Sequence, residues 1–166
     1  IVAPAIAANF PNEYLKINTW LKNLGVKKVL DVSFGAELTV KTYLEDIKQN
    51  SPKCVIAQPC PAIVSYSEIY RPELLDYMAK GHSPMMDTIL YAQKKYGELR
   101  NAKVIIISPC LAKKREFDDC LGEGNFYNVT YKSLKKYFDK NRVLQGLSES
   151  DYDNPEHCSL RLDKLS

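Results

Sequence analysis

Apolar residues in this chain gather in short β-branched runs separated by helix-length stretches, an order that builds parallel sheets with crossover helices. The runs fall at residues 1–7 (broken by Pro4), 28–33, 54–57 and 104–107. The central runs are apolar on consecutive rather than alternating positions, as strands covered on both faces are. Between them, residues 12–24 place Leu15, Trp20, Leu21 and Leu24 at helical spacing and stop at Gly25, a favoured residue just past a helix end. Residues 37–49 carry Leu38, Leu44 and Ile47 in the same way. A third helix is expected over 84–96, with Ser83 as its cap, Pro84 in its first position, and Met85, Ile89, Ala92 and Tyr96 along one face before Gly97. A strand at 126–129 and a short amphipathic helix at 131–138 follow.

No internal repeat or low-complexity tract interrupts the pattern up to residue 144. Beyond it, Ser148-Glu149-Ser150-Asp151-Tyr152-Asp153-Asn154-Pro155 is polar and rich in turn formers. The expected organisation is one α/β domain over 1–144, a mostly parallel sheet flanked by helices, followed by a polar loop or tail over 145–166. The 166 residues, 45% hydrophobic and 26% charged, suit one ordinary domain. The 23 basic against 20 acidic residues leave a net charge of only +3, which removes the simplest support for a nucleic-acid binder. No apolar run approaches the roughly 20 residues of a membrane helix. The chain opens on Ile1 rather than Met and reads as an excised segment.

Five cysteines, Cys54, Cys60, Cys110, Cys120 and Cys158, stand at wide, irregular spacing with no Cys-x-x-Cys pair. They form neither a disulfide framework nor a zinc signature. With His82 and His157 the only histidines, a His-rich metal site is not expected either. Two of the cysteines nevertheless share a local design. Val55-Ile56-Ala57-Gln58-Pro59-Cys60-Pro61 and Val104-Ile105-Ile106-Ile107-Ser108-Pro109-Cys110 each run from an apolar strand into Pro-Cys. Ligands of open parallel sheets sit beyond the carboxyl ends of strands, where two such loops can converge. Lys113-Lys114-Arg115 directly follows Cys110, and neighbouring positive charge favours the thiolate, a soft ligand for iron–sulfur clusters or zinc. Two readings compete with this one. The first is a pair of buried thiols beside a solvated basic run. The second is a nucleophilic cysteine with His82 as base, which lacks any recognisable oxyanion site.

The second loop, Ser108-Pro109-Cys110-Leu111-Ala112-Lys113-Lys114-Arg115-Glu116, resembles the second signature of the iron-only hydrogenase large subunit, M-P-C-x-x-K-K-x-E. Gln58-Pro59-Cys60-Pro61 resembles the first signature, T-S-C-C-P. Three further stretches fall in the family's order: Val2-Ala3-Pro4-Ala5, Phe34-Gly35-Ala36-Glu37-Leu38-Thr39, and His82-Ser83-Pro84-Met85. The resemblance spans about residues 1–140.

The resemblance implies one lobe of the hydrogenase catalytic domain. It implies that Cys60 and Cys110 are two of the four thiolates holding the four-iron–four-sulfur part of a cluster linked to a diiron unit bearing carbon monoxide and cyanide. Lys113 matches the lysine that hydrogen-bonds a cyanide, Ala3, Pro4 and Ala5 match the segment lining the diiron unit, and Glu116 matches a carboxylate close behind the lysine loop. Hydrogen or protons are the implied substrate or signal, ferredoxin-like modules the electron partners, and the cytoplasm the location.

Departures from the family pattern carry as much weight. Pro59 stands where the catalytic members have a proton-shuttling cysteine, and Ser108 where they have methionine. Relay carboxylates align with Tyr43 and Asp46, so at least one is lost. The later Gly-rich Cys-x-x-x-Cys segment with the other two ligands has no counterpart, since Cys158 sits in Glu156-His157-Cys158-Ser159-Leu160. This segment alone is therefore not expected to hold a cluster stably. Pro-Cys-Pro in place of the double cysteine also resembles the family's sensory members, which are joined to PAS and output domains. Three functions stay open: a hydrogen- or redox-sensing signalling protein, a fragment of an active hydrogenase, and an apo scaffold for protein contacts.

Overall fold

The computed structural model describes residues 1–121 and 125–154. Among the described residues, seven α-helices run in chain order: α1 (Ile6–Asn9), α2 (Tyr14–Asn23), α3 (Ser33–Asn50), α4 (Pro61–Tyr70), α5 (Pro84–Lys95), α6 (Lys113–Leu121) and α7 (Tyr131–Asn141). Two strands, β1 (Val104–Ser108) and β2 (Phe126–Thr130), pair in parallel with Val104 opposite Phe126 and Ser108 opposite Thr130. Val2 extends this layer by bridging Ile107 on one side and Asp31 on the other, both in parallel. The spatial order is thus segment 29–31, segment 1–3, β1, β2, with helices around it. This is the mostly parallel α/β architecture that the alternation predicts.

Strand 104–107, strand 126–129 and the helices at 12–24, 84–96 and 131–138 form within a few residues of their expected bounds. Ser83 caps α5 by accepting from the Met86 amide at 3.3 Å, and Met85, Ile89 and Ala92 are buried as their spacing requires. The other apolar runs shorten, each for a local reason. Over 1–7 only Val2 pairs; Pro4 has no amide to continue a ladder, and the Ile6 amide turns back to the Ala3 carbonyl at 3.0 Å to open α1. The run at 28–33 ends at Asp31, whose carboxylate accepts from the Ser33 amide and hydroxyl at 3.0 Å each, so α3 starts at Ser33 rather than at 37. The run at 54–57 keeps a single bridge, Ile56 to Met78, which lies outside the β1–β2 layer.

The core joins Val2, Ile6, Ile17, Val29, Met86, Ile89, Ile106, Ile107 and Phe117. α3 packs on α5 through Gly35, where a β-carbon would stand 1.9 Å from the Pro84 carbonyl oxygen and 2.1 Å from Thr88 Oγ1. Residues 146–154, the described part of the polar stretch, lack helix or strand yet are well tied down. Thr19 Oγ1 donates to the Ser148 carbonyl (2.7 Å), the Asp153 amide to the Val29 carbonyl (2.7 Å), and the Asp31 amide to Asn154 Oδ1 (2.8 Å). It lies along the outer edge of segment 29–31. Among the described residues no helix is long and apolar enough to cross a membrane. Cys158 and His157 lie outside the described residues.

Candidate functional site

At the carboxyl end of β1 the chain turns through Pro109 to Cys110, and side chains fix that turn. Ser108 Oγ stands 3.3 Å from both the amide nitrogen and the carbonyl oxygen of Cys110, and Asn128 Nδ2 donates to the same carbonyl at 2.8 Å. Ser108, the departure from the family's methionine, therefore braces the loop through polar contacts. Asn128 comes from β2 and carried no signal in the sequence.

Cys60 occupies the residue before α4, in extended conformation, with Pro61 opening the helix. Its carbonyl accepts from the Ile63 amide at 3.0 Å, while its thiol makes no capping bond. Upstream, Gln58 Nε2 donates to the carbonyls of Ala79 (3.1 Å) and Gly81 (2.9 Å) and anchors the loop to the chain before α5. Both Cys60 and Cys110 are half-buried free thiols. They do not project from two strands of one sheet, as the paired runs suggest, because the 54–57 run stays out of the β1–β2 layer.

What joins the two loops is Lys113, at the start of α6. It is 8% exposed; its ammonium donates to Glu116 Oε2 at 2.7 Å and to the Pro59 carbonyl at 3.1 Å. An ammonium has three donors, so one remains for another acceptor. The rest of the basic run turns outward, against the expectation that it surrounds Cys110 with charge. Lys114 pairs with Asp118 at 2.5 Å, and Arg115 donates to Ser65 Oγ at 3.0 Å and approaches Glu68 at 3.8 Å, lacing α6 to α4. Helical spacing explains the split, since consecutive residues cannot share a face.

Ala3, Pro4 and Ala5 lie at the same end of the layer as Cys110. The Ala3 amide donates to the Ile107 carbonyl at 2.9 Å, and the buried Tyr131 hydroxyl donates to the Ala3 carbonyl at 2.7 Å. Burial, reinforced by Asp31, pushes the Tyr131 phenol well above the usual range, so it stays a neutral donor. Pro4 and Ala5 are exposed. Tyr131, at the first position of α7, is a second supporting residue without a motif to announce it.

Thiolates of this kind suit an iron–sulfur group. In number the donors present are half of a four-cysteine set, and among the described residues no three His, Cys, Asp or Glu side chains group as a metal site. The donors present fit the group in chemistry but not in number.

Two Pro-Cys loops, one at the carboxyl end of the parallel layer and one outside it, meet at a buried lysine in an α/β lobe. The chain belongs to the family described as the iron only hydrogenase large subunit, C-terminal domain, whose model matches residues 1–162. It is 30% identical over 112 residues to Iron hydrogenase 1 of Clostridium pasteurianum, covering 62% of this chain and 20% of that protein. It is 26% identical over 101 residues to the cytosolic Fe-S cluster assembly factor NAR1 of Yarrowia lipolytica, covering 58% of this chain and 21% of that one. Among solved structures, HydA(deltaEFG), an FeFe-hydrogenase studied for stepwise H-cluster assembly, superposes with a TM-score of 0.71 at 26% identity, over 93% of this chain and 44% of that one. A variant of FeFe-hydrogenase HydA1 from Chlamydomonas reinhardtii shares the fold at a TM-score of 0.72 and 24% identity, over 93% of this chain and 45% of that one. The chain thus spans about a fifth of the curated relatives it matches and under half of the solved structures.

Proposed function

We propose that this chain is the cluster-holding lobe of a longer hydrogenase-type protein whose task is to sense hydrogen or redox state. The observation that carries the reading is the Lys113 bond to the Pro59 carbonyl, which ties the Cys110 and Cys60 loops together at the very residue that lacks a thiol. Cys60 and Cys110 would hold the four-iron–four-sulfur part, and the third donor of Lys113 would face an anionic ligand of the diiron part. The bound group would supply hydrogen activation and electron exchange.

This chain's own residues would do the rest. Glu116 aims Lys113, the Tyr131 hydroxyl and the Ile107 carbonyl hold the Ala3-Pro4-Ala5 turn, and Ser108 with Asn128 holds Cys110. Pro59 has no exchangeable proton, and a missing acid–base group commonly slows turnover by about 10²–10⁴-fold. Sensing tolerates that loss, and sustained turnover does not. Ferredoxin-like modules and PAS or output domains are the partners this reading implies.

The full-length protein should be produced with the cluster maturation system and its infrared bands of bound carbon monoxide and cyanide recorded beside its hydrogen turnover. Bands with slow turnover support sensing. Bands with turnover matching catalytic hydrogenases replace it with the enzyme reading, and absence of bands favours a scaffold.

A further inference from the structure

The outer edge of the layer is covered by a segment that is not a strand. On its inner side segment 29–31 pairs in the ordinary way. The Leu30 carbonyl accepts from the Val2 amide at 2.8 Å, and the Val32 amide donates to the Val2 carbonyl at 3.0 Å. On its outer side the Val29 carbonyl accepts from the Asp153 amide at 2.7 Å. The two amides that face the same way go to side chains. Val29 donates to Asp153 Oδ2 at 2.9 Å, and Asp31 donates to Asn154 Oδ1 at 2.8 Å. A carboxylate and a carboxamide thus imitate the carbonyls of a neighbouring strand and cover an edge that would otherwise stand open to pairing.

The same stretch is moored to α2. Thr19 Oγ1 lies 2.7 Å from the Ser148 carbonyl oxygen and 2.8 Å from Ser150 Oγ; with one hydrogen, it donates to the first and accepts from the second. Asn18 Nδ2 donates to the Ser150 carbonyl at 3.0 Å, and the Ser150 amide donates to the Leu15 carbonyl at 3.2 Å. Lys22 Nζ donates to the Asp151 carbonyl at 3.0 Å and stands 3.5 Å from Asp153 Oδ2. Each of these side-chain bonds is exposed or partly buried, and Tyr152 supplies the apolar contact to the core. The inner rungs differ, since Val2 and Ile107 are 1% and 2% exposed. A segment held by solvent-reached polar bonds and little apolar burial opens more readily than the core beside it.

We propose that residues 148–154 are a latch that opens as one unit while the rest of the layer stays folded. Closed, it seals the outer edge of the sheet. Open, it returns the Val29 and Asp31 amides to water, parts Lys22 from Asp153, and frees the chain at Asn154. The device is independent of the hydrogenase-type reading, because none of its bonds involves the cysteine loops.

Native-state hydrogen exchange of the 166-residue chain, read amide by amide, tests it. The Val29, Asp31, Ser150 and Asp153 amides are expected to share one protection factor. It should lie at least about tenfold below those of the Ala3 and Ile107 amides on the inner rungs. Thr19→Val removes both hydroxyl contacts without touching the edge. It is expected to speed exchange at all four latch amides by one common factor and to leave Ala3 and Ile107 unchanged. Unrelated protection among the four, or protection equal to the inner rungs, overturns the latch. A Thr19→Val effect confined to Ser150, or shared by Ala3 and Ile107, also overturns it. The imitation of a strand is read from Asp153→Asn and Asp153→Ala. The Val29 amide should stay protected in the first, which keeps an oxygen acceptor, and lose protection in the second. Equal loss in both would show that the Lys22 ion pair holds the edge and overturn the imitation.

Discussion

Lys113 reaches across 54 positions of sequence to the Pro59 carbonyl while holding Glu116 at 2.7 Å, so one buried ammonium closes the gap between the two cysteine loops. The Lys113 and Glu116 side chains are 10% and 14% exposed. At that burial the pair is a commitment, because removing one partner strands the other.

Lys113→Ala is therefore expected to destabilise the chain by about 3 kcal/mol, the range for breaking a buried pair on one side. Lys113→Ala combined with Glu116→Gln should cost less than the two single changes summed. Urea unfolding of the four proteins measures this; strictly additive losses would show that the pair is not coupled.

Gly35→Ala tests the α3–α5 seam. Its β-carbon would meet the Pro84 carbonyl oxygen at 1.9 Å, and backbone on an opposing helix cannot swing aside as a side-chain tip can. Overpacking of this kind costs about 1–3 kcal/mol or more. A thermal midpoint unchanged from the unsubstituted chain would disprove the tight approach.

How far these features were readable from residues alone depended on whether a local rule expressed them. β1, α5 and α7 follow from a β-branched run or from caps with helical spacing, and they form as expected. α4 was not legible because its exposed Ile63, Tyr66, Ile69 and Tyr70 leave no amphipathic stripe, and only Ser67 is buried. α6 was hidden inside what reads as a basic run. Within the site, the motif stretches carry Cys60, Cys110 and Lys113. The Lys113–Pro59 bond is invisible in sequence because its acceptor is a backbone carbonyl, which every residue possesses. Asn128, Tyr131 and the Thr39–Asp87 contact act through single long-range bonds and have no periodic trace.

Asp87 also makes a prediction about stability against pH. A carboxyl whose folded pKa is raised, here by burial, binds more protons in the native state than in the unfolded one. Its contribution is full below the unfolded value of about 3.9 and is lost as pH rises through the folded value. Asp87→Asn should flatten that part of the stability profile. Parallel curves for the two proteins as pH rises above about 4 would contradict the raised carboxyl.

Cluster binding by the isolated chain should fail for want of donors. Two thiolates leave half of a four-cysteine site empty, and affinity depends on ligand number and on a preformed site. Anaerobic reconstitution should leave no stoichiometric cubane signal on reduction. About four irons per chain with such a spectrum would mean that the lobe completes its site in another way.

The sharpest prediction concerns Pro59→Cys in the matured full-length protein. On the proposed reading the site's holding parts are present: Cys60 and Cys110 supply thiols, and Lys113 is buried and paired. On that reading Pro59 stands where catalytic members handle protons, so proton delivery should limit the rate. Restoring a thiol there should raise hydrogen turnover at least tenfold, a barrier change of about 1.4 kcal/mol. The Lys113 contact gives reason to expect the loop to survive, because it uses the carbonyl of residue 59, which cysteine retains. Cysteine also restores an amide that proline lacks, so infrared bands of the bound ligands must be compared to show that the site is unmoved. Unchanged turnover with unchanged bands would place the rate limit elsewhere and remove the main argument for sensing.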